Sequence, residues 1–554
     1  MLFRSRDGKP FPHQPMSTLV TSSITCMLAE PRYGKSLLAN LINWAMAIAP
    51  GNSYLPLISV IDVGKASSGL ISLLQHKLPA EQRHLAANVQ LYNDEKHRIN
   101  PCDTQLRCRY PIGTERDYIS NVMLLLLTPE GAHAPPDGMQ GVVNMAIDIG
   151  FRQCSPEKSP KGYVPHLCME VDEAIEEMGW LAKWREQQKK LYDFDDETIE
   201  RNPTWWEVVD TLFDAGRYHE ASLAQRYAVP TLMDFIPLVN SQPQFADMFG
   251  NTSVGSEPIL NVYTRMLAEA VRKYPLICGA TTWDIGTARV ISINVENVID
   301  KTNHGCQKNA LMFMMAMYVA TRNYSLHEDL LKTGAYPEEC REYHRKRIME
   351  FRQCSKHIQI DEYHRAKGIQ SFENFINVFL REGGKWSVAT TLISHRLDDF
   401  PKGFLEWVTS LYVLSPQSEE SAEIISRELK LGETAKYAMM NEIKLPNREG
   451  ATFVGVFRTS RGTAIHLLKN TVGPQKLWAF STSNEDSFVR DRLYERIGDT
   501  ATRTVLSRIY PGGSLKAEYE ERKSRIATSG VDVDEKQGVG ILNGMIQELS
   551  LIHI

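Results

Sequence analysis

Apolar runs of about five residues alternate with helical patterns along the first hundred positions. A run at 23–28 passes through a tight turn into 37–48, where apolar residues recur at helical spacing up to a stop at Gly51-Asn52. A second run, 57–61, ends in Asp62, residues 70–78 are again helical, and 88–92 form a third strand that leads to Arg98-Ile99-Asn100-Pro101. Short buried strands alternating with helices are the pattern of a parallel sheet.

From about residue 110 the pattern turns helical: 118–127, a Gly/Pro-rich loop at 128–141, then 142–151, 168–192, 203–218 and 223–239. The spacing predicts an all-α insertion over 110–275, in which nothing reads as chemistry. Strand patterning resumes at 276–282 and 288–294, followed by a Met-rich helix at 307–322 whose methionines read as core filling. A charged helix at 337–352 contains His344-Arg345-Lys346-Arg347, which reads as a solvated face or, alternatively, as a nucleic-acid patch. Residues 357–360 alternate into Asp361-Glu362, 372–381 are helical, and a strand at 386–393 ends in Ser394-His395. A further strand at 411–414 precedes a hairpin of 451–457 and 463–468 about Ser460-Arg461-Gly462. In the tail, 515–525 reads as a surface helix and 540–551 as a segment that docks back. The expected fold class is α/β, with a mainly parallel sheet and an all-α insertion domain.

Composition narrows this little. The 554 residues carry 62 basic and 67 acidic side chains, a net charge of -5, which offers no global attraction for nucleic acid. Nine cysteines form no CxxC pair and no Cys/His cluster with zinc spacing, so buried free thiols in a reducing compartment are expected. The N-terminus is polar and proline-punctuated, unlike a secretory signal, and the longest apolar run, 310–320, is shorter than a membrane span. The cytoplasm is the default expectation.

Chemistry enters at two places. After the first strand come Ala29, Glu30, Pro31, Arg32, Tyr33, Gly34, Lys35, Ser36 and Leu37. Gly34-Lys35-Ser36 opening a helix resembles a phosphate-binding loop, with backbone N–H groups and Lys35 on the phosphates and the Ser36 hydroxyl on Mg²⁺. The pattern wants glycine where Ala29 stands, and an ordinary turn into a helix is an equal reading of the loop alone. Glu30 should point away from bound phosphates. The second place is Asp361-Glu362, two acids at the end of a strand. In a nucleotide hydrolase Asp361 would hold Mg²⁺ and Glu362 would polarise the attacking water. Ser394 or His395, at the next strand end, could sense the γ-phosphate.

The segments AEPRYGKSLL, IDVGK, RINPCD, RVISINVENV, HIQIDE, REGGKWSVATTLISH and the run from FVGVFRTSRGTAIHLLKN to LWAFSTSNEDSFVRDRL resemble, in order and spacing over 18–497, the large VirB-class cytoplasmic ATPases of type IV secretion and conjugative transfer. The most similar branch is IcmB/DotO of Dot/Icm-type systems. The resemblance implies a RecA-like P-loop ATPase of the HerA/FtsK-like superfamily, split as 1–109 and 276–498 around the insertion, with a helical tail at 499–554. It implies ATP and Mg²⁺, a homo-hexamer, other secretion ATPases and inner-membrane components as partners, and a place on the cytoplasmic face of the inner membrane held through them. It also implies an arginine supplied by a neighbouring subunit, for which Arg381 and Arg461 are the candidates. The chain reads as the C-terminal ATPase part, without the family's N-terminal docking domain. A DNA-pumping coupling ATPase and a nucleotide-binding scaffold with little hydrolysis are the alternative functions.

Overall fold

The apolar runs assemble into one sheet of 11 strands. The structure, a computed structural model, describes all residues except 1, 18, 21–22, 50–53, 193–201, 303–304, 402, 448, 529–534 and 553–554. The helix stop at Gly51-Asn52 lies outside the described residues. The strands are β1 (Leu2–Ser5), β2 (Pro10–Pro12), β3 (Ile24–Leu28), β4 (Leu57–Asp62), β5 (Ala86–Gln90), β6 (Val290–Asn294), β7 (Lys356–Ile360), β8 (Val388–Ser394), β9 (Ser410–Val413), β10 (Ala451–Thr459) and β11 (Gly462–Asn470).

Their order across the sheet is β2-β1-β11-β10-β9-β3-β8-β7-β4-β6-β5. From β9 to β5 all neighbours are parallel, while β10, β11, β1 and β2 add an antiparallel flank. Every residue of β4, β6, β7 and β8 is buried, as strands covered on both faces must be. In β7 this includes the polar positions His357 and Gln359, which meet polar partners on the Lys35–Ala47 helix instead of water. Asn43 bonds His357 Nδ1 at 2.7 Å and donates to Gln359 at 2.9 Å, while His357 Nε2 meets Thr391 at 2.8 Å.

The one face of the sheet carries a large core built around the Met-rich helix Cys306–Thr321, whose methionines are all fully buried. The helices Gly113–Leu126, Met139–Gln153, Leu232–Ser241 and Ile259–Lys273 pack into that core. Helices Met169–Glu177, Trp205–Asp214 and Tyr218–Ala228 instead build a separate core with residues 326–348. Pattern reading ran several of these together. The stretch 168–192 breaks at Gly179, which has φ 58°, the helix expected at 203–218 stops before Gly216, and 223–239 breaks at Pro230, which cannot donate within a helix.

One expected strand is absent. Residues 275–277 form a 3₁₀ turn, and 278–282 run irregularly because Pro275 and the left-handed Gly279 prevent a ladder. The neighbouring Asn100, fully buried, bonds this segment through Thr281 and holds Pro230 through its side-chain amide. The strand expected at 88–92 lies two residues earlier, at Ala86–Gln90.

The LWAF…FVRDRL run proves to be architectural. Arg490, 2% exposed, donates to the carbonyls of Trp478, Ala479 and Ser481 at 3.3, 3.2 and 2.8 Å, capping the Pro474–Ala479 helix. Asp486 accepts from the Leu515 N–H at 2.8 Å. The tail helix Glu535–Ile552 docks back through Leu542, Met545, Ile546 and Leu549. Against this assembly rests the helix Ser68–Lys77: a Cβ on Gly69 would stand 2.0 Å from the Ala479 carbonyl oxygen, so only glycine fits there. No helix among the described residues is long and apolar enough to cross a membrane.

Candidate active site

At the carboxyl ends of β3, β4, β7 and β8 the sequence-predicted residues converge. The loop after β3 solves the missing glycine by moving the left-handed backbone. Ala29 is fully buried with its N–H on the Ser394 carbonyl at 3.0 Å, and its methyl belongs to the core. The positive φ angles fall on Arg32, at 74°, and Gly34, at 84°. Glu30 is exposed, its N–H tied to the Ser415 hydroxyl at 3.2 Å, so its charge faces water as expected. Pro31 and Arg32 are exposed as well, whereas Tyr33 and Leu37 lean on the core and serve the loop as anchors.

The Lys35–Ala47 helix has no side-chain N-cap and no acid in its first turn, which leaves its leading N–H groups to an anion. Ser36 stands in that first turn. The Lys35 amine lies 3.0 Å from Asp361 Oδ1 and also hydrogen-bonds Glu362 Oε1. Burial opposes its charge, but the two carboxylates outweigh burial and raise its pKa. Glu362 sits in left-handed backbone at φ 53°, a costly conformation for a β-carbon residue, and its N–H closes onto Asp361 Oδ1 at 2.9 Å. Its second oxygen faces His395 Nε2 at 3.3 Å and His364 Nδ1 at 3.4 Å. Burial pushes the Glu362 carboxyl up, yet His395 and Lys35 together hold it well below the ordinary range.

Between the two polar residues at the end of β8 the geometry chooses. Ser394 is fully buried and donates to Asp399 at 2.6 Å, whereas His395 faces Glu362. Arg381 and Arg461 are not brought to this cluster. Arg381 is exposed at the amino edge of the sheet, its guanidinium 5.2 Å above Trp407, and Arg461 is exposed at the β10–β11 turn on that same edge. In one chain, neither can meet a phosphate beside Lys35.

Sequence reading missed two participants. Asp62, 1% exposed at the end of β4, accepts the Ser67 N–H at 2.7 Å through one oxygen, while the other has no partner. Burial and then the charge of Asp361 push it up to about 7. An apolar strand ending in a single acid was the available signal. His364 follows Glu362 by two residues and had no pattern to betray it. Three carboxyl groups, an orphaned oxygen among them, thus surround a single lysine. That oxygen-rich imbalance fits a hard divalent cation, which Ser36 and Asp361 would hold with Asp62 beside them.

No family model matches the chain, and no curated relative does. Among solved structures, it superposes on VirB4 of Thermoanaerobacter pseudethanolicus with a TM-score of 0.51 at 13% identity, covering 86% of this chain and 97% of that one. The chain has the VirB4 fold. A second superposition, on the bacterial conjugative coupling protein TrwBΔN70, gives a TM-score of 0.40 at 11% identity over 84% and 88% of the two chains. The expected fold class therefore stands: an α/β RecA-like sheet, mostly parallel, with a helical domain. In the VirB4 fold seen here, the cluster at Lys35 occupies the carboxyl edge of the parallel strands, where α/β sheets bind ligands.

Proposed function

We propose that the chain is an ATPase of a type IV secretion or conjugative transfer machine, in the Dot/Icm-like branch. It energises assembly or substrate transfer through Mg²⁺-dependent hydrolysis. The observation that carries this reading is the convergence of Lys35, Asp361 and Glu362, which lie 326 and 327 residues apart in sequence, onto one buried, uncapped helix start. Mg²⁺ on Ser36 and Asp361 would neutralise charge on the β- and γ-phosphates. On nucleotide binding Lys35 exchanges its two carboxylates for phosphate oxygens. That exchange frees Glu362 to orient and polarise a water, with His395 facing its other oxygen. Arg381 and Arg461, on the far edge of the sheet, suit a role only towards a neighbouring subunit of a ring. Partners of the secretion complex would bring the protein to the inner membrane.

A nucleotide-binding scaffold with little hydrolysis is the second reading. It is favoured by the Lys35 pairing with both acids, which an incoming nucleotide must break. Binding of a fluorescent ATP analogue and phosphate release, each measured with oligomeric mass, separate the two. Lys35→Ala should abolish binding, and Glu362→Gln should bind normally but turn over at least about 100-fold more slowly. Phosphate release by Glu362→Gln at the wild-type rate would overturn the assignment of that residue, and tight binding without release by the wild-type oligomer would select the scaffold.

A further inference from the structure

Cys108, Cys340 and His344 meet in the core that the helices Met169–Glu177, Trp205–Asp214 and Tyr218–Ala228 share with the helix Glu338–Arg352. Their exposures are 1%, 0% and 0%, and one sulfur or ring nitrogen from each lies within 4.8 Å of the others. Cys340 and His344 are one turn apart on the same helix face. Cys108 arrives from the loop that enters the helical region. Arg107, left-handed at φ 63°, turns that loop, and its guanidinium is anchored on Asp210 and Asp214. The Cys108 N–H bonds the Gln105 carbonyl at 2.8 Å, and the Thr104 hydroxyl bonds the Cys108 carbonyl at 2.7 Å. The sulfur is therefore held from a fixed backbone.

The imidazole carries the stronger indication. His344 Nε2 lies 2.8 Å from the Leu106 carbonyl, which can only accept, so Nε2 donates and in the neutral ring Nδ1 is the acceptor nitrogen. Nδ1 is buried without a hydrogen-bond partner. The ring of Tyr336, stacked at 4.1 Å and 17°, fixes the imidazole plane. Elsewhere in this protein the fully buried His357 satisfies both nitrogens, on Asn43 and Thr391. An imidazole oriented by a backbone carbonyl, with a ring nitrogen within 4.8 Å of two sulfurs, is how metal-binding histidines are prepared.

We propose that Cys108, Cys340 and His344 bind a soft divalent cation of the Zn²⁺ type, with a fourth position for a small exogenous ligand. Zinc bonds of ~2.3 Å to sulfur and ~2.0 Å to nitrogen place tetrahedral donors roughly 3.5–3.8 Å apart, so the present cluster closes by small side-chain rotations. Bound there, the ion ties the loop at 104–109 to the helix that feeds β7, the strand ahead of Asp361 and Glu362. The site is independent of nucleotide chemistry and stands even if the proposed ATPase reading fails.

The test uses the full chain, purified reduced and free of chelator, titrated with Co²⁺ and then Zn²⁺. One equivalent of Co²⁺ should bind with a near-ultraviolet thiolate charge-transfer band, and Zn²⁺ should displace it. The Cys108→Ser/Cys340→Ser protein should lose the band and at least tenfold in affinity, with circular dichroism confirming its fold. His344→Gln should keep a weaker band with at least tenfold lower affinity. X-ray absorption on the Zn²⁺-loaded wild type needs no variant and should report two sulfur neighbours and at least one nitrogen. Absence of sulfur neighbours, an undiminished band in the folded double variant, or a Cys108–Cys340 disulfide with no metal taken up would each overturn the proposal.

Discussion

A single strand, β7, takes part in two buried polar clusters that behave in opposite ways. Along its length, His357, Gln359, Asn43 and Thr391 form a neutral network in which both ring nitrogens of His357 and the Gln359 oxygen have partners. Just past its end, Asp361 and Glu362 share one lysine with two histidines and the half-satisfied Asp62 close by. The first network is complete and fastens the Lys35–Ala47 helix to the sheet. The second is charged, strained at Glu362 and short of cations. Buried polar groups that are fully paired specify structure, while those left short await a ligand.

Removing Lys35 should break the contrast most. Lys35→Ala strips the acids of the lysine that bridges them, and ATP hydrolysis should fall at least about 100-fold, as read by phosphate release. Next comes the neutral network. Asn43→Leu leaves His357 Nδ1 and the Gln359 oxygen unpaired in the core and should cost about 2–3 kcal/mol in denaturant unfolding.

A smaller effect is expected at Asp62, and it depends on pH. Its carboxyl titrates near 7 in the folded chain against about 3.9 when unfolded, so between those values the folded chain binds the extra proton. Stability should therefore fall as pH rises from 5 to 7, by about 2 kcal/mol from this group, and Asp62→Asn should remove that fall. Thermal unfolding of both proteins across that range, without Mg²⁺, checks it. Addition of Mg²⁺ with nucleotide should flatten the wild-type profile. Smallest is Arg381→Ala, which forfeits the stacking on Trp407 and should cost about 0.5–1 kcal/mol while leaving ATP binding unchanged. A larger loss of turnover in the oligomer than in the monomer would mark it as acting between subunits.

The parallel half of the sheet was legible because its strands are short apolar runs, and β4, β7 and β8, which run into the polar residues Asp62, Asp361 and Ser394, were placed within two residues of their observed bounds. The meeting of Lys35 with the Asp361-Glu362 pair was legible because each stands in a short local pattern at a strand end. Asp62 was not, since it meets Asp361 only when β4 and β7 lie side by side, and His364 was not, since no residue pattern marks its turn towards Glu362. The helical region was legible as helices but not as units. A pattern with period 3.6 does not show that Gly179, Gly216 and Pro230 divide it, or that its helices serve two cores. The cysteines read as a scatter without zinc spacing. Cys108 and Cys340 are 232 residues apart, and only the fold brings them to His344.

The contact of Gly69 with Ala479 has a mechanical consequence. The helix Ser68–Lys77 begins six residues after Asp62, at the carboxyl edge of the parallel strands, and rests on bare backbone of the C-terminal assembly. Side chains would absorb a displacement by changing rotamer, whereas backbone on backbone transmits it. A displacement of this helix would therefore be passed to the Ala479 backbone that Arg490 caps, and from there towards the tail helices, in the manner of a pushrod.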